Sequence, residues 1–306
     1  MKNYIVRRVG YSLLSLFLLS LTIFLFVRVT GDPTSLLVEP GASPEDIENL
    51  RRQFGLDQSL WVQYWRFIES FVTGDLGLSF YYRTPVLELY FERLPNSLLL
   101  AAVAMALSLV IGIPSGVLAA VRVGGFWDNA GKIFTLLGLS LPSFFIGLVL
   151  ILFFTVYLGW LPSSGSGTVW HLLMPAFTLG WYFAAAHMRL TRSSMLEVLG
   201  SEYVKLARLK GLPEALVIGK HAFKNALIPV ITLAGINLVV MINVAVVVET
   251  VFAWPGIGRL LYEGISFRDF PVVQAVVVIG GCMIIVVNLF VDILYALIDP
   301  RIRLES

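Results

Sequence analysis

The sequence predicts an all-α polytopic membrane protein with six transmembrane helices and a small helical external segment between the first and second. Mean hydropathy is +0.84. Hydrophobic residues fill 58% of the 306 positions and charged residues only 14%, where a soluble domain carries about a quarter charged. The apolar residues gather into six runs, 9–29, 97–121, 133–158, 172–190, 227–252 and 272–297, each near the roughly 20 residues that a helix needs to cross a bilayer core. Basic residues are segregated along the chain, which sets the expected orientation.

The first run follows Lys2, Arg7 and Arg8. It is too long for a signal-peptide core and no small-residue cleavage site follows, so it reads as a retained anchor. Every lysine falls at the N-terminus, in the 122–132 turn or in the 191–226 loop, and Arg301 and Arg303 lie in the tail. These segments are expected inside, with both termini in the cytoplasm of a bacterium or archaeon. Segment 30–96 has no lysine and carries ten acids against five arginines, so it is expected outside. The expected organisation is a cytoplasmic tip and first span (1–29), the external segment (30–96), a transmembrane core (97–298) that holds a cytoplasmic loop at 194–228, and a tail (299–306).

Within the external segment, Ser43-Pro44-Glu45-Asp46 has the cap, first-turn proline and acidic first turn of a helix start. That helix would turn Ile47, Leu50 and Phe54 inward before Gly55 ends it. A second helix runs up to Gly74 and carries Trp61, Tyr64, Trp65, Ile68, Phe71 and Val72 at helical spacing. This stripe fits a lid at the membrane interface or a docking surface for an external solute-binding protein.

Pro114, Pro142 and Pro175, with glycines such as Gly112, Gly116, Gly138 and Gly180, sit inside the later spans. Such residues allow kinks and close backbone approach, which serve a moving pathway and static packing equally. Polar residues at membrane depth cost free energy unless paired or facing water. Asn243, Glu249 and Asn288 are candidates to line a translocation path; interhelical hydrogen bonding is the structural alternative. Asn237 lies nearly opposite Asn243 on its helix. Asp292 shares a face with Asn288 and reads more readily as half of an ion pair.

Enzymatic chemistry finds little support. There is no phosphate-cradling Gly-x-x-x-x-Gly-Lys loop and no Gly-x-Ser-x-Gly elbow. The only histidines are His171, His187 and His221, and the single cysteine, Cys282, sits in an apolar run, so no zinc spacing and no intramolecular disulfide arises. No metal or cofactor is expected on this chain.

Between the fourth and fifth runs lies a hydrophilic stretch, 200–229. Ser201 reads as the N-cap of a short helix, Gly211 as its left-handed stop, and Pro213 as the opening of a second helix over about 212–220. The pattern Glu202-Tyr203, Ala207-Arg208, Lys210-Gly211 and Asn225-Ala226-Leu227-Ile228-Pro229 resembles the cytoplasmic EAA loop of ABC importer permeases, in the form used by the dipeptide/oligopeptide/nickel family. The resemblance runs end to end. Gly31-Asp32-Pro33, Phe54-Gly55-Leu56-Asp57, Gly74-Asp75-Leu76-Gly77, Leu94-Pro95-Asn96-Ser97, Met174-Pro175-Ala176-Phe177, Glu249 to Gly258 and Arg268-Asp269-Phe270-Pro271 are similar to landmarks of that family. Leu209 departs from it, standing where the family usually has alanine.

The resemblance implies a type I ABC importer permease fold and a subunit that forms half of a pathway for di- or oligopeptides. It implies a second, homologous permease as heterodimer partner, two ABC ATPases that bind ATP and magnesium, an extracytoplasmic solute-binding protein, and membrane lipid around the spans; nucleic acid is not among the expected partners. The residues it assigns to ATPase coupling are Glu202, Tyr203, Ala207, Arg208, Lys210, Gly211, Leu212, Pro213, Leu216 and Val217. An ion-coupled secondary transporter is the rival class; it leaves the 200–229 loop unexplained, and no inverted repeat is visible.

Overall fold

The structure, a computed structural model, describes residues 2–29, 43–53 and 55–298, with side chains over 7–29, 43–52 and 55–286. Among the described residues every regular element is helical, and the single departure is an isolated antiparallel bridge between Leu78 and Pro85. The chain divides into two compact units, Met1–Pro95 with Arg259–Ser306, and Asn96–Gly258.

In the first unit, α1 (Lys2–Val29) packs along α11 (Phe270–Ile298), and Leu19 occupies the space that a side chain at Gly281 would need. The expected external helices form as α2 (Pro44–Gln53) and α3 (Leu60–Thr73). Ser43 caps α2 reciprocally: its hydroxyl accepts from the Asp46 N–H at 3.2 Å, while the Asp46 carboxylate accepts from the Ser43 N–H and hydroxyl. Those bonds hold the Asp46 carboxyl below its ordinary range. Ile47 and Leu50 are half-buried as the pattern requires, whereas Phe54 and the Gly31-Asp32-Pro33 landmark lie outside the described residues.

The aromatic stripe of α3 divides. Tyr64 is buried, shares a hydrogen bond with Ser20 at 2.9 Å and meets the Phe24 ring edge-on, but Trp61 and Trp65 point away, 78% and 70% exposed. Buried Asp269 accepts from the Ser79 hydroxyl and from the N–H groups of Phe80 and Tyr81, which fixes the turn leading into α4 (Val86–Val121). Nearby, the Tyr82 hydroxyl donates to Glu263 of α10 (Ile257–Ser266) at 2.6 Å; burial first, and that carboxylate second, push the phenol up to about 12.

The second unit is built on α4 and α7 (Val169–Leu199), which touch backbone to backbone. A Cβ at Gly112 would lie 2.7 Å from the Ala184 carbonyl oxygen, one at Gly116 2.7 Å from that of Met188, and one at Gly180 2.7 Å from that of Ala104. Gly112 and Gly116 are thus a working small-x-x-x-small pair, in which missing side chains let two spans approach. Below and beside this seam sit α5 (Phe126–Ser140) and α6 (Ser143–Leu150) on α7, with α9 (Phe223–Val251) closing a core of Leu100, Phe183, Met241, Val248 and Trp254.

Two expectations are corrected here. The run 133–158 is not one straight span: α5 and the helix Ser143–Tyr157, whose last residues Ile151–Tyr157 are π-helical, meet at 105°. Pro142 lacks an N–H and disfavours helical dihedrals at Leu141, which is extended (φ −82°, ψ 129°), and α5 ends there. The second loop helix is also not a separate rod. A turn at Glu214–Leu216 and a π-helical stretch, Val217–Ala222, run directly into α9, giving one helical run over Glu214–Val251.

Candidate functional site

The 200–229 loop folds as a compact hairpin. Short helix α8 (Glu202–Leu209) ends as expected at Gly211, whose φ of +75° is a conformation that a side chain would strain. Ser201 stands at the N-cap with extended dihedrals, but its hydroxyl donates back to the Val198 carbonyl instead of capping α8. Arg208 forks onto Glu214 (Nη2 to Oε1 2.7 Å, Nε to Oε2 3.2 Å), clasping the two arms. The pair moves both groups as an ion pair should: hydrogen bonding to Glu214 raises the guanidinium, and hydrogen bonding to Arg208 lowers the carboxyl. Asn225 donates to the Tyr203 hydroxyl at 2.7 Å, and Lys205 reaches Glu202 at 2.8 Å.

The hairpin has its own core. Val204, Ala207, Val217, Ala222 and Ala226 pack on Ala120 of α4 and Met195 of α7, with Leu212 partly buried against them. Among the expected coupling residues, then, Ala207 and Val217 face inward and Leu212 only half outward. Glu202, Tyr203, Arg208, Lys210, Gly211, Pro213 and Leu216 are exposed. The apolar residues that do face outward are Leu209, 84% exposed, and Leu206, 52% exposed, together with Leu216. Neither Leu206 nor Leu209 is among the coupling residues that the resemblance assigned, and Leu209 stood out only as a departure from the family pattern. Three-residue spacing on one side of an eight-residue amphipathic helix was the signal that could have found them.

The 122–132 turn is pinned to α7 by Asp128. Its buried carboxylate accepts from Arg192 at 2.6 Å, Lys132 at 2.9 Å and the Gly124 N–H at 2.9 Å, and it lies well below the usual carboxylate range, Arg192 being the largest cause.

Of the expected pathway residues, Asn243 is exposed on α9, its amide donating to the Val239 carbonyl at 2.9 Å. Glu249 is fully buried. Its carboxylate accepts from the Ser97 hydroxyl at 2.6 Å and occupies the place where Gly256 has no side chain, while Ser97 in turn accepts from the Ile257 N–H at 2.8 Å. Trp254 donates its indole N–H to the Asn96 carbonyl, and the Asn96 amide donates to the Pro255 carbonyl. Two landmarks distant in sequence, Leu94 to Ser97 and Glu249 to Gly258, are therefore halves of one polar knot. The side chain of Asn288 lies outside the described residues, as does that of Asp292. His187, which composition alone left without a role, is fully buried between Ser108 of α4 (3.2 Å) and Asn237 of α9 (3.3 Å), tying three helices at mid-span.

Residues 112–304 match the family described as binding-protein-dependent transport system inner membrane component, and residues 1–101 match the N-terminal model of such membrane components. The chain belongs to this family. It is 40% identical over 304 residues to the glutathione transport system permease protein GsiC of Escherichia coli O6:H1, covering 99% of each chain, and equally identical to the same-named proteins of Escherichia coli K12 and Shigella dysenteriae serotype 1. Its fold resembles a solved chain of the MetNI methionine ABC transporter, with a TM-score of 0.57 and 21% identity, over 70% of this chain and 97% of that one. A chain from an amino acid ABC transporter matches with a TM-score of 0.54 and 14% identity, over 68% and 92%. The protein is thus a multi-pass inner-membrane permease subunit of an ABC importer of the peptide/nickel type, with the type I permease fold, and not an enzyme. Membership in a binding-protein-dependent system implies an ATPase and a solute-binding protein as partners.

Proposed function

We propose that this subunit carries short peptides, di- or oligopeptides delivered by an external binding protein, through a pathway shared with a second, homologous permease. Its hairpin faces the cytoplasm and seats one of two ATPases, which hold the ATP and magnesium. The observation that carries this reading is the hairpin itself: a loop packed firmly on α4 and α7 and clasped by Arg208 and Glu214, that nevertheless leaves Leu206, Leu209 and Leu216 uncovered. A loop stiffened in this way transmits displacement, and the exposed leucines are the apolar centre that an interface needs, while Lys205, Lys210, Lys220 and Lys224, exposed in the same stretch of chain, steer the encounter. Ala207 and Val217 support the face from within. The continuous helical run Glu214–Val251 gives the motor a direct lever on α9.

Along α9, Thr232, Gly235 and Asn243 lie exposed at spacings that share one face. Polar groups on a face uncovered by their own chain belong against water or a partner, so we place the pathway and the second permease there. Glu249, enclosed by Ser97 and Gly256, has a structural role in this reading. The distribution of basic residues supports an inside location for both termini and the hairpin, and relatives named for glutathione, a tripeptide, favour peptides as cargo. Reconstitution in vesicles with the cognate ATPases and binding protein tests this. Peptide uptake should require ATP; uptake that persists without ATP and follows a proton or sodium gradient would overturn the assignment.

A further inference from the structure

The first unit contains a cavity of about 310 Å³ whose walls include Arg28, Arg66, Gln274, Phe67, Phe80 and Phe270. Three of its polar side chains, Arg28, Arg66 and the Gln274 amide, offer donors that meet no described acid. Arg28, in the last turn of α1, uses Nε on the Gln63 side-chain oxygen at 2.8 Å, and its guanidinium stands 4.8 Å from the Phe24 ring and 5.7 Å from that of Phe270. Neither Arg28 nor Arg66 forms an ion pair with a described acid. Gln274, 8% exposed, has a buried side-chain nitrogen with no hydrogen-bond partner. A half-buried guanidinium and a buried amide left in this way cost free energy that an oxyanion would offset.

The cavity lies where one end of α1 and the first turns of α11 come together, so an occupant sits at headgroup depth. Leu14, Phe17, Leu18 and Phe26 of α1 are uncovered by the chain, as an acyl-facing surface would be, and Trp61 and Trp65 extend from α3 in the manner of an interfacial aromatic belt. We propose that this is a binding site for the phosphate of an anionic phospholipid, its headgroup held by Arg28, Arg66 and the Gln274 amide, with its acyl chains outside along α1. The leaflet, the outer one, rests on the orientation given under Proposed function; the site itself does not.

The test uses the assembled transporter, purified from bilayers containing phosphatidylglycerol, as wild type, R28Q, R66Q and Q274L. Native mass spectrometry counts retained phospholipid, and thermal melting is followed with added phosphatidylglycerol, phosphatidylcholine, inorganic phosphate or glutathione. Wild type should retain phosphatidylglycerol and melt higher with it, with about tenfold weaker retention in each variant and no shift from inorganic phosphate. Arg66 is exposed and Gln274→Leu keeps size, so these two carry the test if R28Q fails to fold. Equal retention by wild type, R66Q and Q274L would overturn the proposal. So would stabilisation by inorganic phosphate or by glutathione alone matching that of the lipid, which would assign the cavity to a free anion or to a peptide carboxylate. Loss of ATP-driven uptake with lipid retention intact would count against the transport reading and leave the site standing.

Discussion

Leu209→Ala, with Leu209→Asp as its stronger companion, separates the proposed ATPase contact from the fold. Leu209 is 84% exposed, so nothing in the chain's own packing depends on it, and an exposed substitution of this kind changes stability by no more than about 0.5 kcal/mol. Fully burying a leucine side chain is worth about 1.5–3 kcal/mol. If the ATPase covers what the chain leaves open, truncation removes about 1.3–2.5 kcal/mol, or roughly a 10- to 70-fold loss of affinity. Leu206, 52% exposed, should cost less, about 4- to 15-fold, by the same reasoning. The assay is titration of the cognate ATPase subunits onto nanodisc-embedded permease, with the melting temperature as folding control. Unchanged affinity for both Leu209 variants, with native melting, would refute the placement of the interface. Ala207→Asp makes a poor substitute, because Ala207 is buried in the hairpin core and a charge there unfolds the hairpin whatever binds it.

Asp128→Asn should release the 122–132 turn from α7. Because the native carboxyl is held below its ordinary range, its stabilisation is present above that range and is lost as pH falls; the melting-temperature gap between wild type and variant should hold from pH 8 to 5 and narrow only below about pH 4. Gly180→Leu drives a side chain into the Ala104 backbone and should destabilise by at least about 1–3 kcal/mol, read as a lower melting temperature in detergent. His187→Ala leaves the buried Ser108 hydroxyl and the Asn237 amide without their shared partner; a loss of about 1–2 kcal/mol is expected, with Ser108→Ala in the His187→Ala background costing little more, as measured by a double-mutant cycle of melting.

Much of the fold was legible because its signals are local. Ser43 and Asp46 cap α2, Gly211 ends α8, and the apolar runs place the helices, since capping and hydropathy act over a few residues or one span. The break at Leu141-Pro142 was legible in principle. Proline in a membrane helix is often accommodated as a kink, and only packing on α7 and α9 decides that here the chain turns through 105°. For the 200–229 loop, the motif located the hairpin but did not separate its faces. Val217 and Ala207 point inward and Leu209 outward, and which side of a short amphipathic helix is covered depends on what α4 and α7 present to it.

By itself the sequence determined the class of this protein, the number and position of its apolar runs, and the existence of a basic hairpin between two of them; these follow from composition and short-range pattern, which need no knowledge of neighbours. Tertiary structure alone decided that Ser97 and Gly256 enclose Glu249, that His187 bridges Ser108 and Asn237, and that Arg28, Arg66 and Gln274 open onto one cavity. Each of these brings together residues that are dozens to hundreds of positions apart, such as Ser97 and Glu249 or His187 and Ser108. In a membrane the cost of a polar group is set by the partner it finds, and that partner is chosen by how the helices pack.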